Sequence, residues 1–263
     1  AKWGHQIEFE TNGGKPIQPL KAVAGESITA PQTEKSGYVL DGWYTDQELE
    51  EEFVFDKMPS QNIKLYAKWR LFNAGLVFEP VDGKENELQV KLGNCQDSHI
   101  RIPAEYDGKP VTYIPQYGFF DVNGFVLSIT IPESINSIHI PRAIVCHKLE
   151  AIYVHPDNQH YRSIDGCLYY NGENGLALIR YPSGKPGYFY AIPDNENVVE
   201  IASGAFGYSA YLNMLAIPRS VNVIGEYQFS ENSYPKVIFA EADSKPEGWQ
   251  ANCFEEHLAV FGS

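Results

Sequence analysis

Along most of the chain apolar and polar residues alternate in short runs. Gln6-Ile7-Glu8-Phe9-Glu10 and Ile63-Lys64-Leu65-Tyr66-Ala67-Lys68-Trp69 each place every second side chain on one face, the period of a half-buried strand. Asn12-Gly13-Gly14 reads as a turn. Ser27-Ile28-Thr29-Ala30-Pro31 predicts another short strand, and Gly37 to Tyr44 an aromatic-rich segment broken at Gly42. Asp46 to Glu52 is polar and helix-permissive. Leu76–Val81 and Glu87–Leu92 predict a hairpin turning at Gly83-Lys84-Glu85-Asn86. In Leu127-Ser128-Ile129-Thr130-Ile131 the pleat sends Ile129 and Ile131 inward and Thr130 outward. The chain therefore predicts a β-dominated, mixed fold.

Two kinds of internal repeat organise these strands. Ala1-Lys2-Trp3 recurs as Ala67-Lys68-Trp69, 66 residues later, so residues 1–3 are expected to end a preceding copy of a unit whose complete copy is 4–69. Farther on, Ile131-Pro132-Glu133-Ser134-Ile135-Asn136-Ser137-Ile138 matches Ile217-Pro218-Arg219-Ser220-Val221-Asn222-Val223-Ile224, and Ile102-Pro103 and Ile192-Pro193 repeat the Ile-Pro step. Ile114 to Ile138 spans 24 residues and Ile201 to Ile224 spans 23, the length of one solenoid turn. Proline after each strand ends the ladder because it has no N–H to donate. Phe119, Phe120, Phe206 and Phe229 hold repeat positions and are expected inside.

Phe-x-Thr-Asn-Gly-Gly at 9–14, Gly-Tyr-x-Leu-x-Gly-Trp-Tyr at 37–44 and Leu-Tyr-Ala-Lys-Trp at 65–69 together resemble the Listeria–Bacteroides (internalin B-type) repeat. That resemblance implies a small β-grasp-like module of bacterial surface proteins. Residues from about 88 to 254 resemble BspA-like leucine-rich repeats, carried by Ile102–Ile114, Asn158–Tyr169, Leu178–Lys185 and Val199–Phe206. This second resemblance implies a leucine-rich-repeat solenoid of α/β-horseshoe type, with short strands and an irregular convex side. The expected domains are 1–70, the repeat module; 71–87, a connector and opening hairpin; and 88–263, the solenoid, with residues 241–263 as a cap or a point of continuation.

Composition narrows the function. The 20 Lys+Arg against 34 Asp+Glu leave a net charge of −14, which disfavours nucleic acid and anionic lipid as partners. No apolar run is long enough to cross a bilayer as a helix, so no membrane insertion is expected. The four cysteines, Cys95, Cys146, Cys167 and Cys253, form no CxxC; two bridges are open to them, and free, mostly buried thiols are the expectation. Nucleophile, phosphate-loop, zinc-protease and dinucleotide motifs are absent. Cys95 or Cys146 beside His99 or His147 is the remaining nucleophile candidate, against which buried repeat positions are the stronger reading. His155 and His160, with Asp157 between them, have metal-like spacing without an obvious third ligand, and the Glu48–Glu52 run lacks calcium-loop spacing. No catalytic, cofactor or metal site is expected.

The outward strand residues Arg101, Thr130, Tyr153, Ala191, Ala216 and Ile238 are then the candidate binding face, since solenoids present extended surfaces to partners. The expected function is non-enzymatic binding at a bacterial surface. By resemblance, the partner is a host extracellular-matrix or cell-surface protein or glycan. The alternatives are a stalk with no ligand of its own and a thiol-dependent enzyme.

Overall fold

A computed structural model describes residues 4–35, 38–140, 142–229, 237–254 and 258–262; residues 1–3 and Gly37, named above for the repeat motif, lie outside them. The chain divides into two compact units, Ala1–Ala74 and Gly75–Ser263.

The smaller unit is a four-stranded mixed sheet of β1 (His5–Glu10), β2 (Leu20–Ala22), β3 (Tyr38–Tyr44) and β4 (Ile63–Leu71), in the order β2-β1-β4-β3. The central pair β1–β4 is parallel and both outer pairs are antiparallel. Ile7, Leu65 and Ala67 point from the central strands onto Trp43, Ile28 and Met58. Phe9 meets Trp43 edge to face at 4.8 Å.

The motif glycines and tryptophan explain one another. Trp69 Nε1 donates to the Thr11 carbonyl at 2.8 Å. A Cβ on Gly14 would lie 2.4 Å from the Trp69 ring, so the residue beneath the ring must be glycine. Residues 46–52 differ from expectation: they form turns, not a helix. Leu49 takes φ 59, which breaks the right-handed run. The Asp46 carboxylate accepts the Glu50 and Glu51 amides, at 3.1 and 2.8 Å, and those bonds hold its pKa below the usual carboxylate value. Residues 27–31 also differ, making one bridge, Ser27 to Lys57, instead of a strand. Among the described residues no helix covers the sheet; loop residues Phe53, Phe55 and Met58 pack against the core instead.

The larger unit opens with the hairpin Val77–Val81 and Lys84–Lys91. Its turn is Asp82-Gly83, one step earlier than expected; Gly83 takes φ +76, and the register shifts between Pro80 and Val81. From there the chain winds between two sheet faces. On one, His99–Arg101, Ser128–Ile131 and Ala151–Val154 pair in parallel. On the other, Lys84–Lys91, Lys109–Ile114 and Ser137–Ile138 do the same. The strands Tyr161–Ile164, Cys167–Gly172 and Gly175–Arg180 interrupt the winding as antiparallel hairpins. It then resumes with the parallel ladder Phe189–Ala191, Met214–Ile217, Val237–Ala240 and Leu258–Phe261. The opposite ladder resumes as Gly175–Arg180, Val198–Ile201 and Val223–Ile224. This is a solenoid built from strands and turns, without a helix among the described residues, so the expected α/β-horseshoe detail gives way to an all-strand form.

The repeat read from spacing is the pairing register. Ile114 sits opposite Ile138, and Ile201 opposite Ile224. The Ile-Pro step recurs atom for atom: the Ile102 amide donates to Thr130 O and the Ile192 amide to Ala216 O, both at 3.0 Å. Ile129 and Ile131 are fully buried beside a half-exposed Thr130. Each such side chain contributes about 1.5–3 kcal/mol by leaving water. Inside the second half, Tyr181, Phe206 and Phe229 stack one per turn at 5.4 and 5.5 Å, and Phe254 continues the line at 6.5 Å. Trp249 bridges to Ile224, and Leu258–Phe261 extends the ladder by a further rung.

Polar side chains satisfy the turns that no strand reaches. The buried Asp121 carboxylate accepts the amides of Gly124, Phe125 and Val126. Buried Asn158 donates to Pro132 O and Ile135 O and accepts from the His160 and Tyr161 amides. Phe120 corrects an expectation: it is 47% exposed. Residues 119–121 are themselves a strand, pairing with Ile144–Cys146, so alternation buries Phe119 and Asp121 and turns Phe120 out.

The burial pattern makes a testable contrast. Ile131→Asp or Ile217→Asp places a charge in a closed core and is expected to cost more than about 4 kcal/mol, whereas Thr130→Ala should change stability by less than about 0.5 kcal/mol. Urea unfolding of the three variants checks this; equal losses would contradict the strand facing.

Candidate functional site

The six residues expected to face outward fall on two ladders. On the first, Arg101, Thr130 and Tyr153 stand directly opposite one another in register. Arg101 is exposed, Thr130 half-buried and Tyr153 53% exposed. Beside them, His99 Nδ1 lies 2.8 Å from Ser128 Oγ, which fixes the imidazole along the neighbouring row. On the second ladder Ala191 and Ala216 are in register, but the row continues through Phe239 and Val260.

Ile238 is therefore a correction: it is fully buried, opposite Leu215 and Ala259. The period of a strand is two, so a one-residue error moves a side chain through the sheet. Phe239 and Val260 were missed for that reason. Phe189, Met214 and Val237 form the next outward row; Phe189 is 51% exposed there, and Val260, in the row of Ala216 and Phe239, 39%. The second ladder thus presents a largely apolar strip on a rigid parallel sheet, while the first is mixed and polar.

A separate groove of about 370 Å³ is lined by Tyr117, Phe120, Arg142, Val145 and Tyr208. It lies over the short ladder in which Phe120 and Val145 are paired. The Tyr117 amide donates to Arg142 O at 2.7 Å, and Arg142 Nη1 donates to the Tyr117 hydroxyl at 2.8 Å. The His147 ring stacks on Tyr208 at 5.2 Å. Tyr117 and Tyr208 sit at φ 55 and 61, backbone conformations that cost bulky residues about 1–3 kcal/mol. No sequence pattern announces a positive φ at tyrosine, so this groove was not visible before the fold.

The thiols have a structural account. All four cysteines are free and buried. Burial pushes the Cys146 and Cys167 thiols up to about 12. His147 is engaged with Tyr208, and His99 with Ser128. His155 Nδ1 lies 3.7 Å from the Glu133 carboxylate and 3.8 Å from that of Asp157, while His160 packs near Tyr161. In that loop Asn158, through its four backbone bonds, sets the geometry. Arg180 is buried, with Nη2 donating to Ser183 Oγ at 2.8 Å, and loss of water pulls its pKa down to about 10.

Comparison with known proteins agrees with the two repeat types. Residues 5–68 match the Listeria-Bacteroides repeat domain, and residues 190–258 match the BspA type leucine rich repeat region in six copies. A protein of Evansella cellulosilytica named as a Gly-rich membrane protein is 34% identical over 114 residues, 41% of this chain and 13% of that protein. Another, named as a membrane protein of the same organism, is 35% identical over 123 residues, 44% of this chain and 18% of that protein. This chain thus spans less than a fifth of the length of these relatives. A leucine rich cell surface protein from Faecalibacterium prausnitzii A2-165 aligns with 28% identity and a TM-score of 0.38, covering 50% of this chain and 38% of that one. Among the described residues no helix is long and apolar enough to cross a membrane.

The thiol environment generates a prediction. With a pKa near 12, about one Cys146 or Cys167 in ten thousand is thiolate at pH 8. Neither should react with an aromatic disulfide reagent in the native protein over minutes, and both should react on unfolding. Rapid native labelling at either position, mapped by mass spectrometry, would contradict the burial described.

Proposed function

We propose that this chain is a recognition segment of a larger bacterial surface protein. It is non-enzymatic, with the outward face of its parallel ladders as the binding surface. The partner is a host extracellular-matrix or cell-surface protein or glycan, and the small module is a spacer or accessory unit. The observation that carries this reading is the apolar strip Phe189–Met214–Val237 beside Ala216–Phe239–Val260. Exposed aromatic and aliphatic side chains in adjoining rows are costly to leave in water and mark interaction surfaces. A stalk needs only to hold its ladder together and would carry a bland strip there. The BspA-type region and the membrane-protein names of the relatives support the surface location.

An array of immobilised matrix proteins and neutral glycans, probed with the purified chain, tests the proposal. The expected result is a saturable signal that falls at least about ten-fold in the double variant Phe189→Ser/Phe239→Ser. Circular dichroism should show that variant folded. If Arg101→Ala/Tyr153→Ala alone abolishes the signal, the site is the first ladder instead. A blank from folded protein would favour the stalk.

A further inference from the structure

Among the described residues Arg180 is the one lysine or arginine that the fold buries, at 5% exposed. A guanidinium taken out of water needs a countercharge and an acceptor for its N–H groups. Arg180 has little of either. Nη2 donates to Ser183 Oγ at 2.8 Å, a neutral hydroxyl, while Nε is buried with no hydrogen-bond partner among the described residues. Loss of water lowers its pKa to about 10, which leaves it a cation at pH 7. The titratable groups that its charge feels are Cys146 and Tyr208, neither of them a carboxylate. Burial pushes the Cys146 thiol up to about 12, so it is neutral at pH 7 as well. The buried carboxylate of Asp121 is taken up by the amides of Gly124, Phe125 and Val126.

A β-bulge brings this cation to a cavity. In the hairpin of Cys167–Gly172 and Gly175–Arg180, Leu168 pairs with Arg180 and Tyr169 with Leu178, so Ile179 is an extra residue. Strict alternation would send Ile179 and Arg180 to opposite faces. With the bulge both border one cavity, closed on the other side by Ile138, Ala143 and Ile144 of the preceding turn. Apart from Arg180 and His139 its wall is aliphatic. The room for the centre of a water-sized sphere is about 10 Å³, enough for one particle of about that size. A carboxylate or a sulfate has too many atoms for that space. A water molecule can accept a hydrogen bond there but brings no charge. A halide ion does both, accepting from guanidinium N–H and cancelling its charge where low polarity makes that pairing strong.

We propose that this cavity binds a single chloride ion on the guanidinium of Arg180. The site is independent of both outward ladder faces. Two measurements on the unaltered chain test it. Crystals soaked in sodium bromide should give an anomalous peak in the cavity, within hydrogen-bond reach of Arg180. In solution, chloride should replace gluconate, an anion too large to enter, at constant ionic strength. The melting temperature is expected to rise by about 2–4 °C, in proportion to the logarithm of chloride concentration once the site fills. Arg180→Met removes the buried charge with a side chain of similar reach, and should abolish both the peak and the chloride–gluconate difference. Because the first two measurements need no substitution, they decide the matter even if that variant does not fold. No bromide in the cavity, or equal melting in chloride and gluconate, would overturn the proposal. A bromide peak without the thermal effect would mark an adventitious ion only and overturn it too.

Discussion

Everything in the larger unit depends on parallel stacking of turns, because no single turn can close its own apolar face. A strand of three or four residues, such as His99–Arg101 or Ser128–Ile131, has too few hydrogen bonds and too little buried area to persist alone. Stacked in register, its inward residues form one continuous column with those above and below. Ile100, Ile129 and Ile152 are all fully buried for that reason. The coupling is between neighbours, so stability grows turn by turn. The core separates accordingly into two clusters, one from Leu88 to Ile179 and one from Cys167 to Phe254, overlapping at the hairpin insertion.

Stacking also explains where the polar and strained residues sit. Ladders satisfy backbone groups only along the strands, so the corners need side-chain partners. Asp121, Asn158 and Gln228 supply them from buried positions, Gln228 through Ala202 O and Gly225 O. The corners also need left-handed backbone. Tyr117, Gly204 and Tyr227 each lie three residues beyond the ladder isoleucines Ile114, Ile201 and Ile224, and all three have positive φ. Glycine is the unstrained choice there, and tyrosine appears in two of the three copies. The fold thus leaves a recurrent place where an exposed aromatic ring can be mounted, and the rigid ladders hold such rings still.

The repeat length and register were legible because they are periodic: Ile114/Ile138 and Ile201/Ile224 pair as their spacing implies. The motif residues of the small module were legible because Trp69 requires Gly14 beneath it. Facing was legible wherever an Ile-Pro step marked the strand end, as at Thr130 and Ala216. It failed at Ile238, where no proline fixes the phase, and at Phe120, which alternation along a short strand turns outward between buried Phe119 and Asp121. The polar run at Asp46–Glu52 has helical composition but lacks an apolar stripe, and the conformation of Leu49 decides it. Grooves assembled from different turns, such as that joining Tyr117 to Tyr208, exist only after stacking and leave no local pattern.

Native-state hydrogen exchange tests the stacking account most directly. The amides of Ile102 and Ile192 donate to carbonyls one turn away, at Thr130 and Ala216, within the cores. They should exchange only through opening of whole turns, with protection close to the global unfolding free energy, while the exposed turn at Asp107-Gly108 exchanges freely. Protection at Ile102 and Ile192 no greater than in that turn would contradict the claim that the turns are stabilised by their neighbours.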